Sequence, residues 1–411
     1  MKKTLASLLI LAILLTSSVA FIGCKSDTET LNVYNWGVYI SDGKYGSEYD
    51  TIAEFEKYYK ATYGKTIKVN YTTYDSNEDM YAKIKSGASD YDVIFPSDYM
   101  AARMIEEGLV AKLDFNNIPN FANIGDDFKS LYYDEKNEYT VPYTYGVLGI
   151  IYNANVVSPE VVEEKGWSIF WDEAYANKIL MINNPRDAFG LAMYDLGIDV
   201  NTTDPAEWKR ALEHLKAGKP LIQAYVMDEI FNKMESGEAA ISTYYAGDYF
   251  TMLENADSSV DLRFYQPPVT NVFADVMCVT SKSRNKELAE IFIDFMLQRD
   301  AAVANAETLY YGTPNELVKN DKDYIDYLGD DAKILYPDGF DFKSQINKYG
   351  YRNLDNDTLD LISSLWEEMK IDSDTGNSTI YIVCGVIAAV AAATAVIVIV
   401  RKKKKNKSYD D

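Results

Sequence analysis

Residues 242–250 read STYYAGDYF. Asp248 follows an Ala-Gly pair that lets the backbone come close, and Tyr244, Tyr245, Tyr249 and Phe250 flank it. A carboxylate among ring faces can share the positive charge of a small organic cation, the rings through cation–π attraction and the acid through a charge-assisted hydrogen bond. A surface acid without a partner is the other reading of the same nine residues. Two further stretches offer comparable groups: NWGVY at 35–39, with Trp36 and Tyr39, and PSDY at 96–99, with Ser97 and Tyr99. No catalytic motif accompanies them, whether HExxH, P-loop, GxSxG or GxGxxG. The one histidine, His214, falls on what reads as the solvated face of an amphipathic helix, so a Ser-His or Cys-His nucleophile lacks its base. A carboxylate pair of the glycosidase type stays open among 63 acidic residues. The balance favours a binding protein, with no enzyme activity, metal or cofactor expected.

These residues need a frame to hold them. LNVYNW reads as a strand, and TIAEFEKYYKATYG follows with Ile52, Phe55 and Tyr59 on one helical face and Gly64 as a stop. TIKVNY alternates as a strand does, and SNEDMYAKIKSG reads as a helix capped by Ser76 or Asn77 and ended by Gly87. YDVIF has the continuous apolar run of a strand buried on both faces. The order βαβαβ predicts a parallel sheet with right-handed crossovers, in which ligands bind at the carboxyl ends of the strands. Those ends carry Trp36, Tyr39, Ser97 and Tyr99, so the four gather on one rim, for ligand contact or for packing.

A second α/β segment begins near residue 141. It holds TVPYTYGVLGIIYN, then KILMINNPRDAFGLAMYDLGI as strand, turn and helix, then the capped helix NTTDPAEWKRALEHLKAG. AAISTYY is a strand running into the acidic aromatic stretch, FADVMCVTSKS a strand with Asp275 near its start, and NKELAEIFIDFMLQRDAAVANAE a helix. No Ser/Pro-rich linker separates the halves, which suggests two α/β lobes that the chain crosses more than once.

The net charge of −23 is concentrated between the ends: residues 1–24 carry two lysines, and 379–411 carry six basic against two acidic groups. Such a surface disfavours nucleic acid and favours cationic ligands, although acidity also serves solubility alone. The start, MKKTLASLLILAILLTSSVA, has the basic, apolar and small-residue order of a secretory signal. It runs into FIGC, a lipobox-like end with Phe21 where Leu is usual. Lipidation of Cys24 and cleavage after Ala20 are both open. Residues 379–400 are uncharged and mostly apolar, and at ~1.5 Å per residue they reach across a ~30 Å hydrocarbon core. The basic run from Arg401 to Lys405 then belongs in the cytoplasm, which puts residues 25–378 outside, joined through a linker at 373–378. The three cysteines are Cys24, Cys278 in an apolar strand and Cys384 in the span, so no disulfide framework is expected.

Taken in order, YNWGVYI, YDVIFPSDYM, NNPRDAFG, YYAGDYF, FADVM and YYGTPN resemble the periplasmic-type spermidine/putrescine-binding proteins of bacterial ABC transporters, from about residue 31 to 370. The resemblance implies a type II periplasmic-binding-protein fold: two α/β lobes, joined by crossing strands, with a ligand cleft between them. It implies lobe 1 at 31–142 and 276–312 and lobe 2 at 143–275 and 313–372. It further implies a monomer that gives its polyamine to permease subunits and their ATPase. The C-terminal span departs from the usual free or lipid-anchored form. Carried over singly, the resemblance assigns ligand contacts to Trp36, Tyr39, Ser97, Tyr99, Asp187, Tyr245, Asp248, Phe273, Asp275 and Tyr311, and a looser polar contact to Gln345. Val38 stands where the family has an acidic or polar residue, and Asn184 replaces an acid of spermidine-type members. A membrane-anchored binding or sensor protein for iron, an anion or another amine on the same fold is the alternative.

Overall fold

The computed structural model describes residues 28–44 and 47–371. The leader, Cys24, the linker, the apolar run 379–400 and the basic tail lie outside the described residues. Among the described residues no helix is long and apolar enough to cross a membrane.

Nine strands are described: β1 (Thr28–Trp36), β2 (Thr66–Tyr74), β3 (Val93–Ile94), β4 (Thr140–Asn153), β5 (Ile179–Ile182), β6 (Ile222–Val226), β7 (Ile241–Tyr245), β8 (Leu262–Tyr265) and β9 (Val272–Val279). The chain divides into two compact units. Of the described residues, the first takes those up to Val147, Tyr245–Thr251 and Val272–Asn353; the second takes Leu148–Tyr244, Met252–Asn271 and those from Leu354 to Ile371. β4 contributes its first half to one unit and its second half to the other.

In the first unit the strands run in the order β2, β1, β3, β9, β4. β1 lies parallel to β2 with Trp36 opposite Tyr74, and parallel to β3 with Val33 opposite Val93. β9 is antiparallel to both β3 and β4, and its register to β4 shifts between Pro142 and Thr144. The parallel core forms because Leu31, Val33, Val93, Ile94 and Phe95 are all buried, which calls for helices on both sheet faces. Thr51–Tyr63 is one such helix. Asp50 caps it by accepting from the Ala53 N–H at 2.9 Å, and Gly64 ends it at φ 70°. Asn77–Ser86 is capped by Ser76 and ended by Gly87 at φ 68°.

Residues 313–353 group with the first unit, where the resemblance implies lobe 2 for 313–372. The physical reason is local anchoring that spacing does not show. The Asn315 side chain donates to the Leu297 carbonyl at 2.9 Å, and the Tyr145 hydroxyl donates to Leu335 at 2.7 Å. Phe342 packs against Phe128 and Tyr145 at ring separations of 4.5 and 5.0 Å.

The second unit is built on the latter half of β4, antiparallel to β8, and on β5, parallel to both β6 and β7. Pro185–Leu196 starts at the Asn184 cap, whose Oδ1 accepts from the Arg186 N–H at 2.9 Å. Pro205–Gly218 buries Trp208 against Phe189, and Asn356–Lys370 brings Trp366 to the same ring. His214 is not on a solvated face. Its ring stacks on Trp171 at 3.8 Å and Nε2 meets Asp195 at 2.7 Å, so a half-buried imidazole ties two helices together.

Candidate functional site

Within the first unit, the residues from separate sequence stretches meet around Asp275. Asp275 is 5% exposed on β9. The Tyr39 hydroxyl donates to Oδ2 at 2.6 Å and takes a second hydrogen bond from Thr144 Oγ1, also at 2.6 Å. Oδ1 is buried with no hydrogen-bond partner among the described residues. Burial pushes the Asp275 carboxyl up to about 6, with the Ser97 and Tyr39 hydroxyls pulling back towards the charged form. An acceptor lone pair left open beside a partly stabilised charge calls for a cation or a strong donor.

Asp248 answers it across the same cluster. STYY ends β7, and the AGD that follows opens the helix Ala246–Asn255, so the acid sits in a first helical turn. A first-turn Asp is favoured by the helix N-terminus, a local reason for its place. The Tyr311 hydroxyl donates to Asp248 Oδ2 at 2.7 Å. The two tyrosines that hold the two acids are themselves edge-on neighbours, with Tyr39 and Tyr311 centroids 5.9 Å apart. Tyr311 continues to Phe273 at 6.2 Å, and Phe273 to Tyr245 at 5.5 Å and 75°.

Two glycines set these rings. A Cβ at Gly146 would stand 2.6 Å from the Phe273 ring and 3.2 Å from Tyr311, and one at Gly247 would overlap Tyr311 more severely. Neither backbone position could come this close to an aromatic face with a side chain of its own.

The remaining first-unit residues make contacts of their own. Trp36 is half-buried, its indole N–H donating to the Phe95 carbonyl at 2.9 Å and its ring 4.7 Å from Tyr74. Ser97 pairs with Asp275 as an isolated antiparallel bridge. Asn77 holds both residues of the PSDY stretch: its side-chain amide donates to Ser97 Oγ at 3.0 Å and to the Tyr99 hydroxyl at 3.1 Å. Tyr99 in turn donates to Glu78 at 3.1 Å. Val38 stands between Trp36 and Tyr39 with φ 49° and a 73% exposed side chain, a costly backbone for a β-branched residue. Gln345 is half-buried on the helix Phe342–Tyr349, and no side-chain hydrogen bond joins it to the cluster. Asp187 belongs to the second unit, where it is 3% exposed in the first turn of Pro185–Leu196.

Thr144, Asn77 and Gly146 were not legible as site residues. Thr144 and Gly146 lie in a fourteen-residue run that is buried throughout and reads as plain core strand. Asn77 reads as a helix cap, and only its position between Ser97 and Tyr99 gives it a second task.

The family of proteins described as bacterial extracellular solute-binding proteins matches residues 51–329. The spermidine/putrescine-binding periplasmic protein of Salmonella typhimurium is 32% identical over 349 residues, covering 84% of this chain and 92% of its own. That of Escherichia coli is 33% identical over 322 residues, covering 77% and 86%. Among solved structures, the spermidine/putrescine ABC transporter substrate-binding protein PotD of Streptococcus pneumoniae superposes with a TM-score of 0.67 at 32% identity, over 83% of this chain and 98% of that one.

Proposed function

The chain belongs to the bacterial extracellular solute-binding proteins, and from that premise we propose that it captures a spermidine- or putrescine-class polyamine outside the cell and hands it to a membrane permease worked by an ATPase. The observation that carries this reading is the open Asp275 Oδ1, buried and unpartnered beside a carboxylate–tyrosine–tyrosine–carboxylate arrangement. An alkyl ammonium meets each need of that arrangement. Its N–H groups satisfy the acid, its charge is spread over Asp275 and Asp248, and its methylenes lie against Tyr245, Phe273 and Tyr311. A ligand anion would face two carboxylates and no cation in this cluster.

In this reading Tyr39 and Tyr311 orient the acids, Trp36, Ser97 and Tyr99 close the edge, and Gln345 remains a peripheral polar group. Asp187, considered in its own unit, is a candidate amine acceptor on the strength of the resemblance alone. The signal-like start, with lipidation at Cys24 or cleavage after Ala20, places the binding units outside. The apolar run 379–400 is the anchor we assign, with residues 401–411 in the cytoplasm.

Calorimetric titration of spermidine and putrescine into the intact chain tests the ligand class. We expect saturable binding by at least one amine, weakening as salt rises. No heat from either amine, with binding by an anion, ferric iron or a sugar, would overturn the proposal.

A further inference from the structure

We propose that Asp98 is a positioning residue for the ammonium site, fixing the Asp275 segment and releasing a proton when a polyamine docks there. This rests on the polyamine reading above.

Asp98 lies in none of the contacts so far assigned to ligand, yet it is 1% exposed. It begins the helix Asp98–Glu106, and its two oxygens are spent on backbone. Oδ1 accepts from the Tyr99 N–H at 2.6 Å and Oδ2 from the Ala274 N–H at 3.3 Å. Ala274 immediately precedes Asp275, Ser97 bridges to Asp275, and the Val276 N–H donates to the Pro96 carbonyl at 2.9 Å. The two buried acids thus sit on abutting stretches of backbone, one facing the ligand and the other behind it.

The charged and titratable groups around Asp98 come from every neighbouring element. β9 brings Asp275, and the segment after Phe342–Tyr349 brings Arg352. The loop before β4 brings Tyr132 and Tyr133, both of which feel the Asp98 charge. The Arg352 guanidinium lies on the Tyr132 ring, 3.5 Å from the centroid, and donates to the Ile346 and Asn347 carbonyls. Tyr132 donates to the Tyr351 carbonyl, and the Tyr133 hydroxyl is buried with no hydrogen-bond partner among the described residues. Burial raises the Asp98 carboxyl to about 7; the Tyr99 and Ala274 N–H groups oppose the rise, the Asp275 charge adds to it, and Arg352 opposes it.

At neutral pH burial, with a smaller push from the ionised Asp275, therefore keeps a proton on Asp98 part of the time. A ligand ammonium on Asp275 offsets that negative charge and removes the repulsion. Asp98–H then dissociates to carboxylate and a proton that leaves to solvent, and the ionised oxygen grips the Ala274 N–H more strongly. The acid behind the site thus stiffens the strand as the ligand arrives.

The test is spermidine titration of the intact chain at pH 7 in two buffers of different ionisation enthalpy. We expect release of about half a proton per amine, and in Asp98→Asn about a tenth, the remainder coming from Asp275. Spermidine should still bind Asp98→Asn, within roughly tenfold of the wild-type affinity. Binding without proton release at pH 7, or equal release in Asp98→Asn, overturns the inference and leaves the polyamine reading standing. Absence of amine binding removes both. Should Asp98→Asn fail to fold, a 13C carboxyl titration of the unmodified chain decides. Saturating spermidine should lower the Asp98 midpoint by more than about one pH unit, and an unmoved midpoint refutes the coupling.

Discussion

Asp275→Asn separates binding from folding, because the structure assigns the two opposite signs. The substitution keeps the shape and lets an amide oxygen accept from the Tyr39 hydroxyl, which now holds Oδ2 at 2.6 Å. It removes the charge that an ammonium would meet at the open Oδ1. A charge-assisted hydrogen bond contributes ~1.5–3 kcal/mol, so spermidine affinity should fall by roughly 10- to 150-fold. Folding should respond the other way. Burial moves the carboxyl from 3.8 to about 6, so holding it ionised at pH 7.5 costs on the order of 3 kcal/mol. A group whose folded-state pKa is raised binds more protons folded than unfolded between those two values. The ligand-free chain should therefore gain stability as pH falls from about 7 to about 4, and Asp275→Asn should lose much of that gain. The assays are calorimetric titration with spermidine and ligand-free thermal unfolding from pH 5 to 8. A variant that loses affinity and also melts well below wild type at pH 7.5 would show Asp275 to be a structural acid and refute the argument.

Gly247→Ala puts a methyl into the Tyr311 ring. It should weaken polyamine binding at least tenfold while costing about 1–3 kcal/mol of stability, read by titration and by chemical unfolding; wild-type affinity would mean that Tyr311 has no part in the site. Deleting residues 379–411 should release the protein from membranes to the extent that FIGC is not lipidated, whereas Cys24→Ala alone should release none, as fractionation will show. Release by Cys24→Ala with the apolar run intact would end its assignment as the anchor.

Much of the first unit was legible because its signals are local. Ser76 and Gly87 bracket a helix as capping chemistry predicts, and TIKVNY alternates as the strand it forms. Asp248 stands out for a related reason, a carboxylate among rings being rare enough to notice, whereas Asp275 is marked only by the resemblance. What the sequence hid depends on distant partners. Asp98 looks like an ordinary first-turn acid until Ala274, 176 residues away, is seen donating to it. The placement of 313–353 was hidden likewise, since Asn315 and Tyr145 declare their side only through the carbonyls they reach. His214 misled because helical periodicity reports a face but not the Trp171 that covers it.

The pairing of each acid with a tyrosine hydroxyl also bears on how a cargo leaves. A solute-binding protein must surrender what it holds, and a bare buried carboxylate would make every departure a separation of naked charges. Here the Tyr39 and Tyr311 hydroxyls donate to Asp275 and Asp248. On the proposed reading, acids vacated by an ammonium would find a neutral donor already in contact, which would lower the barrier to dissociation. Affinity would then be traded for turnover, and variants that strip these hydroxyls should release their amine more slowly.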